Sequence, residues 1–261
     1  MKADWHLHTR YCDGLASPGE MAEAALAAGL DALGFSGHSF TFFDETWCMS
    51  LAGTEAYRRE VAALREQYAG RLEVFCGVEQ DFYSAEPTAG YDYVIGSVHY
   101  VKAGERCLPV DESPALLRAG AEEGFGGDIY AFAEAYFETV GRVAEIPGCK
   151  VVGHFDLISK FNEREPLFDE EHPRYVAAWQ AAAEKLLRSG LPFELNTGAV
   201  ARGYRTFPYP APTILRWLAE RGAWFLLNSD SHAPGTLCFG FEKWRRTVEA
   251  LGCRFLDAPI G

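Results

Sequence analysis

The chain has 261 residues, 48% hydrophobic and 23% charged, a composition ordinary for a water-soluble enzyme. Its formal net charge of −13 argues against a nucleic-acid surface, which needs a basic stripe to release phosphate counterions. No apolar run approaches the roughly 18 residues of a membrane span, and the start, MKADWHLHTR, lacks a signal peptide's apolar core. Seven scattered cysteines without a CxxC pair read as free thiols in a cytoplasm rather than as a disulfide framework or thiolate zinc site.

In chain order, ADWHLH reads as a first strand closing on His6 and His8, followed by a helix over 18–29 behind Ser17, a natural cap. DALGFSGH closes on His38 and leads to a helical pattern over 54–68. LEVFCGVE closes on Glu79 and DYVIGSVH on His99. The stretch 102–127 is irregular, either a cover over the site or a plain surface loop. A helix over 128–146 precedes KVVGHFD, with His154 and Asp156 at its end. A helix over 172–189 precedes PFELN, with Glu194 and Asn196. A last helix over 211–222, opened by Pro212, leads into WFLLNSDSH, with Asp230 and His232.

This alternation of strand and helix predicts a parallel sheet with crossover helices. A doubly wound sheet would gather ligand residues at one switch point. Here all seven strand ends carry them, which a closed ring explains better, because such rings build their sites at the C-terminal ends of the strands. The expectation is a distorted (β/α)7 TIM-like barrel forming a single domain over residues 1–261.

Residues two apart on a strand share a face, so His6 and His8 can reach one ion, as can Asp230 and His232. His38, His99, His154, Glu79 and Asp13 extend the set. His172, in EEHPRY, reads instead as a loop residue entering a helix. Histidine and carboxylate without cysteine suit zinc, manganese or iron. Eight or nine such ligands exceed the need of one tetrahedral ion, which points to a multinuclear cluster able to activate water at neutral pH. GFSGH lacks the G-x-S-x-G spacing of a serine nucleophile.

This constellation resembles the PHP (polymerase and histidinol phosphatase) superfamily. GSVHYV, the Val110-Asp111-Glu112-Ser113 run, GHFDLISKFN, ELNTG and NSDSH resemble its histidinol-phosphatase branch. The resemblance implies a trinuclear centre: His6, His8, Glu79 and Asp230 on a first ion, and Glu79, His99 and His154 on a second. Asp13, His38 and His232 would take the third, Asp13 standing where many relatives have histidine. Glu79, His99, Asp230 and His232 would carry the catalytic role, with three divalent ions (Zn, Mn or Fe) as cofactors.

Arg202, Lys160 and Arg205 are the candidates for gripping phosphate, although close relatives often have an arginine near Lys160. Glu194 and Asn196 read as groups behind the ligands or beside the substrate. The implied reaction is hydrolysis of a phosphomonoester by hydroxide held at the metals. The substrate is expected to be L-histidinol phosphate, in histidine biosynthesis. Asp128, Tyr130 and Tyr136 are candidates for an acidic, aromatic pocket, with helix and core roles as the alternative. Another small phosphate ester, amidohydrolase-type C–N cleavage, and a non-catalytic metal-stabilised regulatory domain are the rival readings. The expected partner is a small molecule rather than nucleic acid or membrane, the chain acting as a monomer or small homo-oligomer.

Overall fold

The computed structural model describes residues 1–257. Its main sheet has eight parallel strands: β1 (Ala3–Asp4), β2 (Ala32–Phe35), β3 (Glu73–Asp81), β4 (Tyr93–Ser97), β7 (Cys149–Val152), β8 (Phe193–Asn196), β9 (Trp224–Asn228) and β10 (Arg254–Phe255), adjacent in that order. An antiparallel hairpin of β5 (Tyr100–Ala103) and β6 (Arg106–Pro109) lies outside it. Helices α1 (Pro18–Ala27), α2 (Leu51–Gln67), α3 (Pro114–Phe125), α4 (Ile129–Val140), α5 (Pro173–Ser189), α6 (Gly198–Ala201), α7 (Pro212–Glu220) and α8 (Phe241–Glu249) make the crossovers and close the chain. No helix among the described residues is long and apolar enough to cross a membrane.

Local chemistry sets the helix limits. Ser17 and Glu20 form a reciprocal capping box before Pro18, and Asp128 caps α4 through the amides of Tyr130 and Ala131. Gly126 and Gly190 end α3 and α5 in the left-handed conformation.

Strand residues alternate between two apolar clusters, as a period of two requires. Leu33, Phe35, Val94, Phe193 and Phe225 pack under the helices. Ala32, Tyr93, Ile95, Val151 and Leu226 join Trp5 in a separate cluster on the other face, the inside of the curl. Tyr93 sits centrally there, its hydroxyl donating to the carbonyls of Trp5 (2.6 Å) and Phe35 (3.0 Å). A side chain at Gly34 or Gly77 would strike its ring. This apolar floor fills the lower part of the curl, and Glu79, two turns of alternation beyond Phe75 on the same face of β3, emerges above it.

The first strand meets the segment after β9 through a parallel bridge between Leu7 and Ser231. The His8 amide donates to the Ser231 carbonyl at 2.8 Å, and the Ser231 amide to that of His6 at 3.2 Å. The seven expected strands are all present, and the barrel-like class stands. The additional strand, β10, pairs with β9 over two residues, too short for any alternation to show in sequence. Stretch 102–127 is not irregular: it holds most of the β5–β6 hairpin and α3. Helix α8 was also unforeseen.

Candidate metal centre

The strand ends converge on Glu79, a fully buried carboxylate at the top of β3. Its two oxygens face different histidines. Oε2 lies 3.0 Å from His6 Nε2, 3.4 Å from His8 Nε2 and 3.0 Å from His38 Nδ1. Oε1 lies 2.8 Å from His154 Nε2 and 3.4 Å from His99 Nε2. A carboxylate has about four lone-pair directions, so five imidazoles cannot all donate to it. His8 Nε2 and His38 Nδ1 are indeed buried without any hydrogen-bond partner. Buried polar atoms are rarely orphaned without a functional reason. Divalent cations between these lone pairs and the carboxylates satisfy the set, so the residues present fit a metal centre.

Three overlapping groups have ligand atoms close enough to share an ion: His6, His8 and Glu79; His38, Glu79 and His99; and His8, Asp13, His38 and His232. Asp230 joins the first, its Oδ1 lying 3.1 Å from His8 Nε2 and 3.7 Å from His6 Nε2. His232 Nε2 lies 3.1 Å from Asp13 Oδ2 and His38 Nε2 3.7 Å from Asp13 Oδ1. All nine expected ligands are thus brought together.

Charge and burial set their protonation. Burial, with the neighbouring rings of His232 and His38, drives His8 down to about 3, leaving a neutral ring. Burial also favours neutral His6, but Glu194, Glu79 and Asp230 outweigh it and hold that ring well above the usual imidazole range. Burial opposes ionisation of Glu79, yet His6, His38 and His99 hold it well below the ordinary carboxylate value. Asp230 is likewise held low against burial, by Arg202 and His6.

Behind these rings lie groups that fix their orientation, as the outer nitrogen of a ligating histidine requires. Glu194 accepts from His6 Nδ1 at 2.6 Å. It also takes the His154 amide (2.8 Å) and the side-chain amides of Asn196 and Asn228 (both 2.9 Å). Glu194 and Asn196 are wholly buried, and neither lines the cavity above the ligands, so they stand behind the ligands rather than beside substrate. Asp81 accepts from the His99 amide at 2.9 Å and lies 3.3 Å from His99 Nδ1. Asp81 was missed in the sequence, although its spacing of two from Glu79 places it on the same face. His232 Nδ1 lies 2.9 Å from the Asp230 carbonyl. Arg202 Nη1 lies 2.8 Å from the same Nδ1; a guanidinium can only donate, so that nitrogen is the acceptor of the pair.

Backbone strain also marks the site. Asp230 has φ +50°, a left-handed conformation uncommon for non-glycine residues, although aspartate tolerates it better than most. Gly198, at the start of α6, passes so close that an added Cβ would sit 2.8 Å from the Asp230 carboxylate.

Above the cluster is a cavity of about 370 Å³ whose lining includes Trp47, Tyr100, Asp111, Lys160, Arg202 and Tyr204. Arg202 donates to Asp230 Oδ2 and to the Asp230 carbonyl, both at 3.0 Å. Lys160 is held by Asp111 at 2.9 Å. Trp47 packs edge-on to His38, ring centres 4.4 Å apart, and donates to the Tyr100 hydroxyl at 2.6 Å. Tyr100 in turn donates to Asp44.

Several expectations need correction. Arg205 does not line the cavity. It is buried, donating to Ser159 Oγ at 2.6 Å and pairing with Asp156 at 3.4 Å, with Tyr209 beneath its guanidinium. That pairing also occupies Asp156, which lies outside the ligand set. Asp128 caps α4 and pairs with Arg174, Tyr130 stacks on His172, and Tyr136 donates to the Phe155 carbonyl. None of the three lines the cavity. Apart from the candidate ligands, the acidic and aromatic groups that do line it, Asp111, Glu112, Trp47, Tyr100 and Tyr204, lie on loops and the hairpin, where no periodicity marks them.

A curled parallel sheet with a histidine–carboxylate cluster at its C-terminal edge defines the class of barrel-type metal-centre proteins. The chain belongs to the PHP domain family, whose model matches residues 4–198. It is 34% identical, over 96% of its length and 94% of the relative's, to a protein of Deinococcus radiodurans named "Probable histidinol-phosphatase". A crystal structure from Listeria monocytogenes, given provisionally as a histidinol phosphatase, superposes with a TM-score of 0.78 at 20% identity, covering 93% of this chain and 100% of that one. Histidinol phosphate phosphatase of Lactococcus lactis, solved with zinc, L-histidinol and phosphate, superposes with a TM-score of 0.72 at 19% identity over 98% of this chain and 95% of that one.

Proposed function

We propose that this protein is a metal-dependent phosphomonoesterase that hydrolyses L-histidinol phosphate to L-histidinol and phosphate, acting in the cytoplasm in histidine biosynthesis. The observation that carries the reading is the division of Glu79 between two sets of imidazoles beneath a cavity rimmed by Arg202 and Lys160. A carboxylate shared in this way suits a bridge between ions, and cationic donors above it suit phosphate oxygens. The substrate follows the name of the Deinococcus relative and the ligands of the Lactococcus protein.

We assign His6, His8, Glu79 and Asp230 to a first ion, Glu79, His99 and His154 to a second, and Asp13, His38 and His232 to a third. Zinc fits the donor set, as do manganese and iron. Such ions, when bound, polarise phosphoryl oxygens and lower the pKa of water.

The remaining work falls to the chain itself. Glu194 holds His6 so that Nε2 presents its lone pair, and Asp81 does the same for His99. Arg202, anchored on Asp230, offers a planar fork of donors to the phosphoryl group, whereas Lys160 offers a point charge. Trp47, braced by Tyr100 and Asp44, walls the cavity and excludes water from one side of the bound ester. These groups position and neutralise the ester, which is most of what phosphoryl transfer asks of a protein.

The test is a screen of purified protein of known metal content against phosphomonoesters, histidinol phosphate among them. Preferential turnover of histidinol phosphate is expected. Stronger activity on another ester would overturn the substrate and leave the chemistry standing.

A further inference from the structure

The Val110-Asp111-Glu112-Ser113 run has no part in the metal centre, yet the fold carries it back to the cavity. The β5–β6 hairpin leaves directly after His99 and returns antiparallel, pairing Tyr100 with Pro109. Val110, completely buried, then donates its amide to the His99 carbonyl at 3.0 Å. Asp111 therefore follows a fixed point beside a candidate ligand. The carboxylates lining the cavity are Asp13, Glu79, Asp111, Glu112 and Asp230. Three of these belong to the metal set. Of the remaining two, Glu112 is exposed and Asp111 half-buried.

Asp111 already binds an ammonium group. Lys160 Nζ donates both to its carboxylate, at 2.9 Å, and to its backbone carbonyl, at 2.8 Å, while lying 5.1 Å from the centre of the Tyr204 ring. Carboxylate, carbonyl and aromatic face together form a seat for a primary ammonium. The same lysine is, with Arg202, one of the two candidate phosphate donors, and it cannot serve both purposes from one position.

We propose that Asp111 is the residue that selects amine-bearing phosphate esters, and that it does so by exchange. The ammonium of the leaving group takes the seat on Asp111, and the displaced Lys160 turns its charge to the phosphoryl oxygens. Lys160 then reinforces phosphate binding chiefly for esters that carry an amine. No covalent step is involved. This inference rests on the functional reading above and deepens it by naming the residue that recognises the amine of the ester.

Calorimetric titration of the metal-loaded protein with L-histidinol and, separately, with inorganic phosphate tests it. Asp111→Asn should weaken L-histidinol binding by roughly tenfold or more, the scale of a charge-assisted hydrogen bond, and should affect phosphate much less. Lys160→Met should act oppositely on the two ligands, tightening L-histidinol by emptying the seat and weakening phosphate. Equal changes for both ligands in Asp111→Asn, or weaker L-histidinol binding in Lys160→Met, would overturn the exchange. Failure of the underlying functional reading shows separately, as absence of histidinol phosphate turnover by the unaltered protein.

Discussion

Glu194 Oε1 lies 2.6 Å from His6 Nδ1, while Glu79 Oε2 faces the same ring's Nε2 at 3.0 Å. The imidazole is thus clamped between a carboxylate that orients it and one that would share an ion with it. Glu194→Gln keeps the volume but puts an amide where the orienting carboxylate stood. Loss of such a partner costs roughly 10–100-fold in metal affinity. Competition against a chromogenic chelator measures it, and unchanged affinity would remove Glu194 from the centre.

Glu79→Gln should disturb two ion positions together, since the oxygens serve different imidazoles. Phosphatase turnover should vanish and metal content fall, while the far-ultraviolet circular dichroism stays that of a folded barrel. Normal turnover would refute the shared position.

The two buried-side arginines should separate stability from chemistry. Arg205→Ala leaves Asp156 buried without its cation, a loss of about 3–5 kcal/mol, read as a lower urea midpoint. Arg202→Ala, beside Asp230 at the cavity, should chiefly raise KM for phosphate esters and lower kcat, with a smaller change in midpoint. The reverse pattern would exchange their roles.

Gly198→Ala should push on the Asp230 carboxylate, which a Cβ would approach to 2.8 Å. The site lies above the apolar floor rather than in it, so metal affinity and turnover should fall more than the melting temperature. A variant with full metal content and turnover would show that Asp230 can give way freely.

Chelation should lower the melting temperature, because ions that bind the folded chain stabilise it by about 2.7 kcal/mol at a hundredfold excess over Kd. Restoring zinc or manganese should reverse the shift. Acidification should release the metal as well, since both imidazole and carboxylate ligands must be deprotonated to bind. A melting temperature indifferent to chelator would argue against a bound centre.

How much of this was written in the sequence depends on how local the cause is. His6 with His8, and Asp230 with His232, follow from a spacing of two on a strand, and the crossover pattern follows from hydrophobic alternation. Arg205 was misplaced because a basic residue after a strand end looks the same whether it turns toward the cavity or into a buried pair with Asp156. Asp111 follows the hairpin and Trp47 sits on a loop, and their positions depend on the Val110–His99 and Trp47–Tyr100 contacts, which no local pattern encodes. Strand β10 is two residues long and exists because Trp224 and Phe225 offer it an edge.

The Leu7–Ser231 bridge joins two segments far apart in the chain, and the candidate ligands on either side of it, His6 and His8 against Asp230 and His232, come from those two segments. Synthesis must therefore pass Asp230 before the first candidate ion position can be complete. Until then, the early histidines have no late partner and can hold an ion only loosely. The set of Glu79, His99 and His154 needs nothing from beyond the bridge, so the candidate positions would fill in an order set by the chain: the middle one first, the two that draw on Asp230 and His232 last.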